Sequence, residues 1–145
     1  MSIERSWQGR ILDLVFWVVL AEELARARIR TRFLPTRKLR ASISPSESVQ
    51  TPQEGAARLH NRPQLATLHR VRRLLPAVAK RVPWRAMCLE QALAGEAILK
   101  CVGIPCTIRL GVALDDGDFA AHAWLEVGGR IVLGKHSKLT FQTFT

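Results

Sequence analysis

Between Cys101 and Cys106 the chain changes its hydrophobic period, and this change restricts the fold more than any other feature of the sequence. Upstream, CLEQALAGEAILKC places Leu89, Ala92, Leu93, Ala97 and Leu99 at helical spacing. Ala92, Ala94 and Gly95 are small enough to let a neighbouring backbone come close. Gly103 and Pro105 then end the helix. Downstream, CTIRLGVA alternates, with Cys106, Ile108, Leu110 and Val112 on one face and Thr107, Arg109 and Gly111 on the other. Asp115-Asp116-Gly117-Asp118 is a turn signal, FAAHAWLEV sets His122, Trp124 and Glu126 on one face, and Gly128-Gly129 turns the chain into RIVLG. The expectation is an α+β fold in which a largely buried central helix, from Cys88 to about Val102, packs on a small antiparallel sheet. The tail KHSKLTFQTFT is long enough to add a strand.

With 145 residues there is material for one modest core, preceded here by an amino-terminal helical region. Residues 9–33 read as a helix in which Ile11, Leu14, Val15, Val18, Val19 and Leu24 form the apolar positions and Pro35 gives the stop. The apolar run ILDLVFWVVLA contains Asp13 and ends at Glu22-Glu23. It is too short to span a bilayer and carries no signal cleavage site, so a core helix is the preferred reading and peripheral membrane contact the second. ASISPSESVQTPQEG has few large apolar groups and reads as a linker. The expected division is 1–40 helical region, 41–57 linker or loop, and 58–145 the main domain. That domain opens with a helix from Pro63 that buries Leu65, Leu68, Val71, Leu74, Leu75 and Val78, and Pro83 ends it.

Lysine and arginine number 22 against 12 acids, for a formal net charge of +10. They crowd into 26–40 and 58–85, whereas Cys88 to Val127 holds six acids against Lys100 and Arg109. Arg70, Arg72, Arg73 and Lys80 read as a solvated helix face rather than a binding patch. With no aromatic-interleaved basic strand and no nucleic-acid motif, nucleic acid is not the expected partner. Three cysteines, none of them in a Cys-x-x-Cys pair, argue against zinc or a disulfide framework and for reduced thiols in a cytoplasm. No cofactor or metal is expected.

Cys88 opens the central helix, where unsatisfied backbone amides favour a thiolate, the form that attacks carbonyls. His122 lies on the strand expected to face that helix, with small Ala120, Ala121 and Ala123 around it, and has the chemistry of the base. Taken singly, a helix-start cysteine is more often core packing and a strand histidine more often structural. Together, in the order Cys-helix, Gly-x-Pro, strand, turn, His-Ala-Trp strand, they point to a catalytic pair. Cys101 and Cys106 fit core packing. His60, His69 and His136 have no companion motif.

These residues carry a resemblance. CLEQALAGEAILKCVGIPCTIRLGVA followed by DFAAHAWLEVGGRIV is similar to the transglutaminase-like, papain-like half-domain of lasso-peptide maturation proteins, the split form of the cysteine leader peptidase. The shared marks are Cys-Leu at the helix start, Gly-Ile-Pro after it, Gly-Val in the strand and Ala-His-Ala-Trp-x-Glu-Val. The resemblance is close from about Leu74 to Val132 and weaker, through FLPTRKL, over the first third. It implies removal of the leader from a ribosomally made precursor peptide, with Cys88 as nucleophile and His122 as base and then acid. It also implies a separate leader-recognition protein, for which this chain leaves no room, and a macrolactam synthetase that acts afterwards. Acyl transfer or deamidation at glutamine is the alternative on the same fold, and a weak or inactive basic binding module is another. The family can place an aspartate about a dozen residues after the histidine, where this chain has Gly134 and Lys135. Glu126 and Asp118 each lie roughly 13 Å along the strand from His122, too far to orient it. A backbone carbonyl and the Gln91 side chain remain as candidates.

Overall fold

A computed structural model describes residues 2–33, 62–115, 118–134 and 142–143. Its elements are α1 (Ser2–Phe33), α2 (Arg62–Ala79), α3 (Cys88–Cys101), β1 (Thr107–Asp115), β2 (Asp118–Val127), β3 (Arg130–Leu133) and β4 (Gln142–Thr143). The expected linker at 41–57, the FLPTRKL match, His60, His136 and most of the carboxyl-terminal tail lie outside the described residues.

The four strands pair in the order β3-β2-β1-β4, and all the pairs are antiparallel. β1 and β2 run in continuous register from Thr107↔Glu126 to Asp115↔Asp118, and β4 adds the strand that the tail had room for. Gly128 and Gly129 both take positive φ, 55° and 72°, as a two-residue hairpin turn that matches the strand twist requires. A bulge between Leu125 and Glu126 then shifts the β3 register.

The helices share one core with the inner face of the sheet. Leu20 and Leu24 of α1, Val71, Leu75 and Val78 of α2, Leu99 of α3, Ile104, and Leu125 of β2 are fully enclosed. Each contributes about 1.5–3 kcal/mol relative to exposure. Gly95 in α3 permits the closest approach, since a Cβ there would lie 2.5 Å from Leu133 Cδ1 and 3.0 Å from Leu125 Cδ2. The small-residue pattern of α3 thus does what the sequence implied.

Four expectations change. Ile11, Leu14, Val15, Val18 and Val19 do not form the buried face of α1; they are exposed, and of the expected apolar positions Leu24 is buried, together with Leu20 and Ala27, with Phe16 and Trp17 packed against the core. Residues 11–20 are apolar on almost every side, so their period cannot phase the helix. Asp13 accepts from Arg73 Nη2 at 2.5 Å and Arg70 Nε at 3.4 Å, so its side of α1 faces α2. The same contacts make Arg70 and Arg73 pairing residues rather than purely solvated cations, and Leu65 is exposed. Cys101, expected in the core, is exposed at the end of α3. None of the described helices is long and apolar enough to cross a membrane.

Candidate active site

The amino end of α3 begins at Met87, an extended N-cap residue with φ −75° and ψ 164°, so Cys88 is the first helical position. The first helical hydrogen bond runs from Gln91 N to Met87 O at 3.1 Å. The amides of Cys88 and Leu89 therefore have no acceptor within the helix, and the half-buried thiol sits where they favour an anion. Each of the three residues before Cys88 is held by a different side chain. Arg28 Nη1 donates to Arg85 O at 3.4 Å, Gln91 Nε2 donates to Ala86 O at 3.0 Å, and Met87 N donates to Glu90 Oε2 at 3.2 Å. Glu90, 3% exposed, also accepts from Arg28 Nη1 at 3.1 Å and Thr31 Oγ1 at 3.3 Å.

Sequence reasoning missed this network. Its one local sign was a glutamate three residues after the N-cap, the position of the reaching-back half of a capping box. Met87 has no oxygen to supply the other half, and nothing local names Arg28 as the partner.

His122 lies mid-strand in β2, opposite Gly111 of β1. Alternation turns Ala123, Leu125 and Val127 into the core and sets His122, Trp124 and Glu126 on the other side of β2. The imidazole stacks on Trp124 with ring centroids 6.3 Å apart. Its Nε2 lies 2.6 Å from Gly134 O. A carbonyl only accepts, so Nε2 carries the proton, and in the neutral ring Nδ1 keeps its lone pair. Of the two orienting groups left open by the sequence, the backbone carbonyl is the one in place, and Gln91 is committed to Ala86. Gly134 is itself fixed: φ is +79°, and a Cβ there would come within 2.8 Å of Ala123 O. Glu126 does not reach His122; it accepts from Trp124 Nε1 at 2.7 Å and pairs with Arg109 Nε at 3.5 Å.

Gly95 of α3 abuts Leu125 of β2, while Cys106 Sγ meets Glu96 O at 3.9 Å and sets the start of β1 beside the middle of α3. α3 therefore packs on the Leu125 face of β2, and His122, three residues away along the strand, projects from the opposite face. In unliganded enzymes the hydrogen bonds between catalytic groups are often long and tighten only when substrate binds.

The other thiols differ. Burial pushes Cys106 up to about 11, with the Glu96 carboxylate adding to the effect and Lys100 opposing it, so it stays protonated at neutral pH. Cys101 is exposed at the far end of the helix. His69 lines an open cleft between α1 and α2 with Arg10, Arg70, Arg72 and Arg73, apart from the thiols. Among the described residues no group of three or more His, Cys, Asp or Glu side chains has the arrangement of a metal site.

A thiol at the amino end of a helix and an imidazole whose Nε2 proton is anchored on a backbone carbonyl are the parts for acyl chemistry through a thioester. No curated protein and no solved structure matches the chain. The sequence profile of the transglutaminase-like superfamily matches residues 18–145, spanning α1 from Val18 through the whole sheet. The α+β architecture and the match agree, and the chain belongs to the transglutaminase-like superfamily.

Proposed function

We propose that this protein is a cysteine peptidase that removes the leader from a ribosomally synthesised lasso-peptide precursor, acting in the cytoplasm with a separate leader-binding protein. The observation that carries the reading is the anchored His122, whose Nε2 proton is given to Gly134 O, so that Nδ1 is the nitrogen that would take a thiol proton. In this mechanism His122 takes the Cys88 proton, and Sγ attacks the scissile carbonyl. The imidazolium then protonates the leaving amine as the C–N bond breaks. Water, deprotonated by His122, hydrolyses the resulting thioester and restores the thiol. The free amides at the start of α3 stabilise the oxyanion. A macrolactam synthetase would use the released core peptide.

With a backbone carbonyl in place of a carboxylate on His122 Nε2, the chain is expected to work slowly until its partner and precursor arrive. We assign the exposed aliphatic face of α1, with Leu14 and Val18, to that leader-binding protein. Two copies of this chain, each at +10, repel each other at such a surface.

Incubation with precursor and leader-binding protein, followed by mass spectrometry, tests the reading. Two fragments with the wild-type chain and none with Cys88→Ala support it. Intact precursor with the wild-type chain overturns it, and a gain of about one mass unit without scission assigns glutamine deamidation, which uses the same acyl-enzyme chemistry. Leu14→Glu with Val18→Glu should slow processing while leaving the chain folded.

A further inference from the structure

We infer that Arg28 and Thr31 of α1 are positioning residues for Cys88: acting through Glu90, they fix the turn that starts α3, so the reactivity of the thiol depends on α1 being docked. The inference rests on the reading above only in taking Cys88 as the nucleophile.

Three backbone groups in succession lead into Cys88, and each is held by one side chain: Arg85 O by Arg28, Ala86 O by Gln91, Met87 N by Glu90. Gln91 and Glu90 belong to α3 itself, so they would travel with it. Arg28 comes from 57 residues before Arg85 and 62 before Glu90. It is the clamp that ties the turn to another element, and the same guanidinium nitrogen serves both acceptors.

Charge gives Arg28 a second role. Glu90 Oε2 accepts from the amide of the residue before Cys88, so a carboxylate is built into the same turn as the thiol. Like charges disfavour each other's ionised forms, more strongly when one of them is buried. Glu90 is almost fully buried and does not escape to solvent. Arg28, at 3.1 Å, matches its charge and leaves the helix amides and dipole for the sulfur. Thr31 adds less. Its single hydroxyl proton is shared between Arg28 O at 3.0 Å and Glu90 Oε1 at 3.3 Å.

The test is residue-resolved alkylation of the full-length chain by iodoacetamide, read by mass spectrometry across pH, with exposed Cys101 as internal reference and circular dichroism to confirm folding. Arg28→Met should slow Cys88 alkylation at pH 7 by about tenfold and move its pH–rate profile upward, leaving Cys101 unchanged. Arg28→Lys should recover most of the rate, because the charge returns without the fork. Arg28→Met with Glu90→Gln should recover the position of the profile, because no unmatched carboxylate is left. A folded Arg28→Met chain whose Cys88 rate and profile equal those of the wild type overturns the inference. Should that variant fail to fold, Thr31→Val decides: a two- to threefold slowing specific to Cys88 supports the inference, and no change overturns it. Precursor cleavage plays no part, so a wild-type chain that is alkylated at Cys88 but leaves precursor intact refutes the peptidase and not the clamp.

Discussion

Around the start of α3 lie Cys88, Glu90 and, from α1, Arg28; around its later turns lie Cys106, Glu96 and Lys100, and the two sets of the same three residue types behave differently. At the start, Glu90 is buried, accepts from Met87 N, and is paired with Arg28 from another helix. Farther along, Glu96 pairs with Lys100 on its own helix at 2.8 Å, while its charge and the surrounding burial hold the Cys106 thiol up to about 11. Lys100 is more than half exposed and screens Glu96 poorly, and the free amides that favour an anion are at the other end of the helix. Three matching residue types thus give one thiol at the free amides of a helix start and one held protonated by burial. What separates them is the partner recruited by the tertiary fold.

The largest expected effect tests that separation directly. Cys88→Ala should lower precursor cleavage at least about 10³-fold, as loss of a nucleophile does, whereas Cys106→Ala should leave it within a few-fold. A comparable loss from both, measured by mass spectrometry with the leader-binding protein present, would break the contrast. Next comes stability in urea. Glu90→Ala strips Arg28 and Met87 N of their acceptor and should cost about 2–3 kcal/mol, less than a fully buried pair because Arg28 is partly solvated. Glu96→Ala removes a pair with an exposed partner and should cost under about 1 kcal/mol.

The pH dependence follows with a definite sign. Because folding raises Cys106 from 9.0 to about 11, the unfolded chain loses that proton first as pH rises. The Cys106 contribution to stability is therefore intact below about pH 9 and is lost between about pH 9 and 11. Residue-resolved alkylation should show native Cys106 half-reactive only near pH 11, moving toward 9 in denaturant. The smallest effect belongs to Lys100→Met. Removing a cation that lowers Cys106 should move its alkylation to still higher pH, with stability changed by no more than about 0.5 kcal/mol.

Much of this could be read without coordinates. The period change at Gly103-Ile104-Pro105 announced a helix followed by strands, and the observed α3 and β1 begin within a residue or so of the expected limits. Cys88 at the first turn and His122 in mid-strand were legible because helix starts and strand alternation are local properties. Glu90 was not, because its role depends on a side chain 62 residues away. The Gly134 carbonyl was not identified either, since every residue has one, and a backbone atom leaves no mark in the sequence. Its glycine has the physical reason stated above, a positive φ with Ala123 O too close for a Cβ.

α1 shows the boundary most clearly. The sequence by itself determined that residues 9–33 are helical and that 11–20 are apolar, through spacing and composition. A helix apolar on all sides has no preferred face of its own. Tertiary structure decided the rest: packing turned Leu20 and Leu24 inward, left Leu14 and Val18 outside, set Asp13 against Arg70 and Arg73, and brought α1 onto α3. That docking sets Arg28 against Glu90 and so holds the turn before Cys88, because a buried carboxylate takes its counter-charge from whichever element packs beside it.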